Sequence, residues 1–351
     1  METSHRVRKM AFVLKKEELP HFSKHIISKE YGLFAPVRKE ARSIFKRIDE
    51  NQVGEVSLDY IRTIMPPLKS LLIPPKETLL KIKDGKIEEM LPGPENKTAI
   101  LGVHPCDVNA MNLLERVYMD RPKDPYFEAR RKNLIIIALN CSSADEKCFC
   151  TSFGTGPSLE EGFDLILTDL GDRFLVEVGS RKGSELIGDF YMPKASSTDL
   201  MEKDETIRRV KGMIRRHVNT AGLQRIMTGA LYNPIWNELA DRCTGCGACN
   251  MVCPTCFCFN VIDEPELDSG SVLRSRTWDG CLLWEYAEVA LGGNFRKDLS
   301  ARIRQFVNHK MNYWLNQYGA LGCVGCGRCI EQCPAKIDIT SIVARLRGEL
   351  L

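Results

Sequence analysis

The sequence predicts an α/β domain with a partly parallel sheet over residues 1–232, followed by an all-helical domain over residues 233–351. Two apolar, β-branched runs separated by a helical pattern predict the first part. A long helical pattern between two matching cysteine runs predicts the second. The cysteines divide the chain in the same way, because none precedes Cys106 and eleven of the fifteen fall from Cys243 onward.

The first hundred residues mix helical spacing with proline breaks. Apolar residues of Ala41 to Ile48 have helical spacing and predict a helix. Pro66-Pro67 and Pro74-Pro75 are chain breaks, and we expect Met65 to Pro75 to be an extended segment that crosses the surface.

The next hundred residues alternate strands and helices. Strands are predicted at Thr98–Val103, Leu134–Leu139, Phe163–Thr168 and Arg173–Val178, the last two joined by a turn at Gly171-Asp172. Leu134–Leu139 is apolar throughout, as in a buried parallel strand. Asp107 is placed to cap a helix over Val108–Tyr118. These elements predict the α/β class.

The remaining chain has helical patterns apart from its cysteine runs. Residues 200 to about 230 are charged and amphipathic, and Ile235 to Asp241 is expected to be a short helix. Arg296 to Tyr318 predicts one long helix in the spacer between the runs. A two-cluster protein of the bacterial ferredoxin type would have a short β connection there, so the spacer favours an all-helical ferredoxin domain.

The most specific motif is a duplicated cysteine run. Cys243-x2-Cys246-x2-Cys249-x3-Cys253-Pro254 recurs as Cys323-x2-Cys326-x2-Cys329-x3-Cys333-Pro334. In such runs three cysteines hold one iron–sulfur cube and the fourth ligates the cube of the other run. The sequence therefore predicts two [4Fe-4S] clusters with crossed ligands. The first set is Cys243, Cys246, Cys249 and Cys333, and the second is Cys323, Cys326, Cys329 and Cys253.

Two other interpretations of these runs fit less well. A disulfide framework is typical of secreted chains, and nothing here indicates secretion. Zinc ribbons use paired Cys-x2-Cys motifs and leave the third cysteine and the Cys-Pro unexplained.

A second group of cysteines follows the predicted strands. Cys106 comes after one strand and Cys141 after the next, with Cys148 and Cys150 in the same loop. If the strands are parallel neighbours, all four thiols lie at the carboxyl edge of the sheet, where α/β proteins bind ligands. A third [4Fe-4S] cluster or a zinc would suit them, with His104 as a possible substitute ligand. Buried, unliganded thiols are the alternative.

Three further cysteines, Cys256, Cys258 and Cys281, lie near the first run. They are interpreted as packing, alternative ligands or a redox-active pair. The loop Gly154-Thr-Gly-Pro157 lacks the features of a phosphate loop, and no complete nucleotide or flavin fingerprint is present.

Composition excludes some classes of function. Of 351 residues, 44% are hydrophobic and 27% charged, and the net charge is +3, which implies no nucleic-acid-sized basic surface. The longest apolar run is Leu134–Leu139, well below the roughly 18 residues of a membrane span. No signal peptide is apparent, so we expect a soluble, cytoplasmic protein.

Several stretches resemble a known family along essentially the whole chain. They resemble the β subunit of soluble sulfhydrogenases and, equally, the dicluster electron-transfer subunit of anaerobic sulfite reductase. The stretches are Cys148–Pro157, Gly162–Gly179, Cys253–Phe259, Arg276–Cys281, Gly292–Asn294 and His309-Lys310.

The resemblance implies an electron-transfer subunit of an anaerobic complex. Its expected partners are a flavin subunit that handles NAD(P)H and a catalytic subunit of the nickel–iron hydrogenase, sirohaem sulfite reductase or heterodisulfide reductase type. The cluster loops Thr244–Asn250 and Val324–Arg328 are the expected docking surfaces. The alternative is a self-contained oxidoreductase whose catalytic iron–sulfur centre lies in the N-terminal domain.

Overall fold

The computed structural model describes residues 10–40, 42–60 and 62–349. Its strands are β1 (Ala11–Lys15), β2 (Gly32–Lys39), β3 (Arg42–Ile48), β4 (Lys76–Lys83), β5 (Lys86–Glu89), β6 (Thr98–Val103), β7 (Leu134–Leu139), β8 (Leu165–Asp169), β9 (Arg173–Val178), β10 (Phe259–Glu266), β11 (Ser271–Trp278), β12 (Glu288–Val289) and β13 (Gly293–Asn294).

The α-helices are mostly short. They are α1 (Leu19–Ser28), α2 (Pro67–Leu72), α3 (Pro105–Tyr118), α4 (Pro125–Lys132), α5 (Arg181–Ile187), α6 (Ser197–Met213), α7 (Leu223–Gly229), α8 (Ile235–Ala240), α9 (Ala248–Met251), α10 (Leu299–Asn308), α11 (Trp314–Tyr318), α12 (Arg328–Glu331) and α13 (Ile339–Arg347). A π-helical turn, His309–Tyr313, joins α10 to α11.

A seven-stranded sheet forms the centre of the N-terminal part, in the order β1-β9-β8-β7-β6-β2-β3. The pairs β2–β6, β6–β7 and β7–β8 are parallel, and the outer pairs are antiparallel. This confirms the predicted α/β class with a partly parallel sheet. It also confirms that β6 and β7 are neighbours, so their carboxyl ends share one edge.

Both faces of this sheet are covered. Along β7, Ile135, Ile137 and Leu139 belong to the core under α1, while the alternate residues of the strand pack towards α2, α3 and α4. Full burial of each such side chain stabilises the fold by about 1.5–3 kcal/mol. The continuous apolar run predicted from the sequence therefore corresponds to a central strand with no solvated face.

Two predictions for the first hundred residues are wrong. Residues 42–48, expected to be helical, form β3, which pairs with β2 in an antiparallel hairpin; Ala41 lies outside the described residues. Pairing with a buried neighbour overrides the helical spacing. Pro67 begins the helix α2 within the segment expected to be extended, and Leu68 and Leu72 bury one face of that helix. Proline suits the first helical position, where no N–H is needed.

The C-terminal part contains strands as well as helices. Strands β10 and β11 form a hairpin in the spacer between the cysteine runs, and β11 pairs with β4 to give a sheet in the order β10-β11-β4-β5. The expectation of an all-helical domain is therefore wrong for residues 259–278. The second half of the spacer is helical from Leu299 to Tyr318, within the range predicted for a long helix.

This second sheet contains strands from both sides of residue 232, since β4 and β5 precede it and β10 and β11 follow it.

Within the described ranges, no helix is long and apolar enough to cross a membrane.

Candidate metal centres

Three cysteines of the first run and two of the second run line a single cavity. Its walls include the thiols of the first predicted set, Cys243, Cys246, Cys249 and Cys333, together with Cys329 and apolar side chains such as Leu282, Phe306 and Ile339. The run bends at two glycines with positive φ, Gly245 at +68° and Gly247 at +70°, before α9 begins. The structure thus brings the four residues of this set together.

Backbone amides point at the sulfurs of this set. The Gly245 N–H donates to Cys243 Sγ at 3.4 Å, and the Ile337 N–H donates to Cys333 Sγ at 3.3 Å. Hydrogen bonds of this kind stabilise thiolate ligands and tune iron–sulfur centres. The donor set and the apolar walls therefore fit a [4Fe-4S] cube.

The second run repeats this geometry. Gly325 and Gly327 again have positive φ, and the Gly325 N–H donates to Cys323 Sγ at 3.4 Å. Cys253 of the first run reaches this set, since it contributes to the electrostatic environment of Cys323, Cys326 and Cys329. Its own sulfur lies 3.2 Å from Thr255 Oγ1. The second set is thus also brought together, and its donors fit a second cube.

Burial raises the pKa of several of these thiols. Burial and the neighbouring thiols raise the pKa of Cys323 to about 12, and burial raises the pKa of Cys249 and Cys329 as well. A thiol binds iron as the thiolate. Loading of the sites must therefore release protons.

The third group of cysteines lies where the sheet edge predicts it. Cys106 is in the first turn of α3, after β6, and Cys141 follows β7. Burial, then the charges of Cys150 and Cys148, raise the pKa of Cys141, and Cys106 also senses Cys141. All four thiols are therefore close neighbours, and three of them are less than 10% exposed.

Tyr60 and His104 complete this pocket. The Tyr60 hydroxyl lies 3.8 Å from Cys148 Sγ, and the ring of Tyr60 packs against His104 at a centroid distance of 5.1 Å. His104 Nδ1 is 3.9 Å from Cys141 Sγ, and burial lowers the pKa of His104 to about 4. His104 is thus a neutral neighbour of the thiols. It also occupies the N-cap position of α3, which was expected for Asp107.

The loop of Cys148 and Cys150 packs directly on the second cysteine run. The Phe149 N–H donates to the Gly325 carbonyl at 2.8 Å. A Cβ on Gly325 would lie 2.6 Å from the backbone of Phe149 and Cys150, and one on Gly327 would lie 2.4 Å from the Lys147 carbonyl. These two glycines are therefore required for close approach as well as for their positive φ.

Two buried arginines lie between the second and third groups. Arg328 donates through Nε to the Thr63 carbonyl at 2.8 Å and through Nη2 to Asp107 Oδ2 at 2.9 Å. Arg62 donates through Nη1 to Cys148 Sγ at 3.7 Å and to the Cys326 carbonyl, and it pairs with Glu331. The expected docking loop Val324–Arg328 is buried throughout, so that expectation is wrong.

The other expected docking loop is partly exposed. Thr244 and Cys246 reach the surface, and Leu283, which packs on Gly247, is followed by the exposed Trp284.

A site for a single metal ion has stricter requirements than a site for a cluster. A zinc bound at about 2.3 Å requires thiolates within roughly 4 Å of one another. Within the described ranges, no three His, Cys, Asp or Glu side chains are placed to hold such an ion.

Sequence reasoning missed Tyr60, Arg62 and Lys69, which contact cysteine groups from a distance in the sequence and are marked by no local motif. Lys310 was named only within the family resemblance, without a role beside the cysteines. The loop Gly154-Thr-Gly-Pro157 does lie beside the cysteines, because a Cβ on Gly156 would meet Cys150 Sγ at 2.9 Å.

Comparison with known proteins agrees with this geometry. Residues 242–337 match the family model of a 4Fe-4S dicluster domain. Over 341 residues the chain is 36% identical to sulfhydrogenase 2 subunit beta of Pyrococcus furiosus, covering 96% of this chain and 98% of that relative. The chain belongs to the sulfhydrogenase beta-subunit family. No solved structure matches it significantly.

The resemblance found in the sequence is thereby confirmed. As a sulfhydrogenase beta-type protein, the chain is an iron–sulfur electron-transfer subunit with a 4Fe-4S dicluster domain.

Proposed function

We propose that this subunit relays electrons through two [4Fe-4S] clusters in the crossed cysteine sets and a third at Cys106, Cys141, Cys148 and Cys150. The boundary near residue 232 would separate the part that holds the third cluster from the dicluster part. When bound, [4Fe-4S] clusters accept and pass on single electrons.

The observation that carries this proposal is the continuity of the three cysteine sets. Cys249 of the first set senses the charge of Cys253, which belongs to the second. Cys326 of the second set contributes to the electrostatic environment of Cys106 and Cys150. Cysteines of neighbouring sets therefore lie within electrostatic range of one another, and the sets extend from the exposed Cys246 to the buried Cys141.

The surrounding residues suit a relay. Apolar side chains line the first set, and backbone N–H groups donate to sulfurs of the first and second sets. Arg62 and Arg328 place positive charge between the second and third sets, where added negative charge would be most costly without them. Within the described ranges these arginines are ion-paired, so they also fix the two parts of the chain relative to each other.

The partners follow from the same reasoning. The relative is by its name one subunit of a sulfhydrogenase, and a relay needs a donor and an acceptor. We infer two partners, a flavin subunit that handles NAD(P)H and a catalytic metal subunit. For the catalytic subunit, the nickel–iron hydrogenase type is favoured over the sirohaem sulfite reductase and heterodisulfide reductase types. The loop Thr244–Asn250 would face one of them.

Iron counting tests the proposal. The complex purified without oxygen should hold at least about twelve iron and twelve sulfide per copy of this chain, four for each cube. The double variant Cys141→Ser/Cys148→Ser should lose about four of each and keep the electron paramagnetic resonance signals of the other two clusters. An unchanged iron content would remove the third cluster from the proposal.

The partners are tested separately. The isolated chain should exchange electrons with dyes alone. Turnover of a physiological donor and acceptor by the isolated chain would instead favour a self-contained oxidoreductase.

A further inference from the structure

The remaining three cysteines also converge. Cys256 and Cys281 are buried, and the amide of Asn250 reaches both sulfurs, with Nδ2 at 3.7 Å from Cys256 Sγ and 3.5 Å from Cys281 Sγ. Cys258 is tied to the same place, because the Asp279 N–H donates to its carbonyl at 3.0 Å. Residues more than twenty positions apart are thus held together by one side chain and one backbone hydrogen bond.

The group also has a side towards solvent. Cys258 is half-buried, and the hydroxyl of Tyr286 contacts it. Tyr286 is 36% exposed. Three thiols and one phenol oxygen therefore surround this point, and none of the thiols forms a disulfide.

Two lysines that are almost fully buried face the same group. Lys69, 5% exposed, reaches over from α2, where its Nζ donates to the Cys253 carbonyl at 3.3 Å and lies 3.7 Å from the centre of the Trp278 ring. Lys310, 2% exposed, comes from the π-helical turn and donates to Thr255 Oγ1 at 2.9 Å.

Neither ammonium has a carboxylate partner within the described ranges. Both lysines face Cys256 and Cys253, Lys69 also faces Cys258, Lys310 also faces Cys323, and the two ammonium groups repel each other. A buried cation without a compensating anion is strongly unfavourable. Two buried ammonium groups therefore face these thiols from opposite elements, α2 and the π-helical turn.

We propose that Cys256, Cys258 and Cys281 hold a further iron–sulfur cluster, with the Tyr286 oxygen as its non-cysteine donor and Lys69 and Lys310 as its counter-charges. Thiolates are the ligands that iron–sulfur clusters select. The position explains why two lysines are buried at this point and why an amide donor is aimed at two sulfurs. The proposal is independent of the third cluster, since it shares no residue with Cys106, Cys141, Cys148 and Cys150.

The test compares variants of the intact complex, purified without oxygen. Cys258→Ser/Cys281→Ser should remove about four iron and four sulfide per chain relative to the wild type. The signals of the dicluster sets should remain. Tyr286→Phe keeps all three thiols and tests the phenol oxygen as a donor, since it should alter the resonance signal of this cluster alone.

Three outcomes would overturn the assignment. These are an unchanged iron content in the double variant, the loss of one zinc instead of iron, and the loss of the same iron in Cys141→Ser/Cys148→Ser. If Cys281→Ser prevents folding, Cys258→Ser alone decides the question, because its side chain is half-buried and its removal leaves no core cavity. If this inference fails, the Cys141→Ser/Cys148→Ser variant should still lose its own iron, because that variant concerns a different group of cysteines.

Discussion

Arg328 and Asp107 form an ion pair that is inaccessible to solvent. Nη2 donates to Oδ2 at 2.9 Å, while Nη1 lies 2.9 Å from Oδ1 without hydrogen-bond alignment, and the two side chains are 1% and 2% exposed. Arg328 follows the last glycine of the second cysteine run, and Asp107 follows Cys106 in α3. The pair therefore connects two candidate metal centres through residues 221 positions apart.

Removing the arginine should destabilise the protein. Arg328→Met leaves the Asp107 carboxylate buried without its cation, which typically costs about 3–5 kcal/mol. The midpoint of urea unfolding, followed by fluorescence under anaerobic conditions, measures the change. Arg345→Met is the matched control, because its pair with Glu238 is exposed and is worth at most about 1 kcal/mol. Equal effects of the two substitutions would contradict a special role for the buried pair.

The crossed ligands predict which cluster each substitution disturbs. Cys253→Ser should alter the signal of the cluster held mainly by Cys323, Cys326 and Cys329, although Cys253 lies in the first run. Cys333→Ser should alter the other cluster, since it lines the cavity of the first run. Electron paramagnetic resonance of the reduced protein reports both signals. If each variant instead altered the cluster held mainly by its own run, the crossed assignment of ligands would be wrong.

The Tyr60 hydroxyl should tune the third cluster. It lies 3.8 Å from Cys148 Sγ, and a hydrogen bond to a thiolate favours the more negative, reduced state. Tyr60→Phe should therefore lower the reduction potential, by roughly 40 mV if about 1 kcal/mol is lost. Tyr118→Phe is the control, because its hydroxyl donates to the Phe257 carbonyl, away from this group. A redox titration in which both variants behave alike would refute the contact.

The exposed aromatic beside the first run should affect the partner and not the metal. Trp284 is 42% exposed and packs with Arg302 near Gly245. Trp284→Ala should slow electron exchange with the partner by about fivefold or more, as for an interface aromatic, at unchanged iron content. Tyr191→Ala, an exposed residue that follows α5, should have no effect. Stopped-flow measurements with the co-purified partner distinguish the two.

Local patterns in the sequence predicted several parts of the structure. β6, β7 and β9 have the predicted bounds, because continuous apolar runs between breaks define buried strands. The cysteines of the two runs and of the sheet edge lie near one another in the structure, and their assignment to three clusters stays a prediction.

The parts that were missed depend on distant contacts. β3 is a strand because it pairs with β2, although its apolar spacing fits a helix. The β10–β11 hairpin was missed because β11 finds its neighbour in β4, far away in the chain. Arg328 was expected at the surface, and it is buried because α3 supplies Asp107. None of these partners can be read from the residues beside them.

The pairing of β4 with β11 determines how late in synthesis this sheet can be completed. Ile82 pairs with Val272, so a growing chain exposes one edge of β4 until about 190 residues more have been added, roughly 10–40 s at ordinary rates of translation. During that interval the strand has β5 as its neighbour on one side and an unpaired edge on the other. Its lysines at positions 76, 81 and 83 discourage pairing with another nascent chain. The strand is thus protected by charge while it waits for its partner to leave the ribosome.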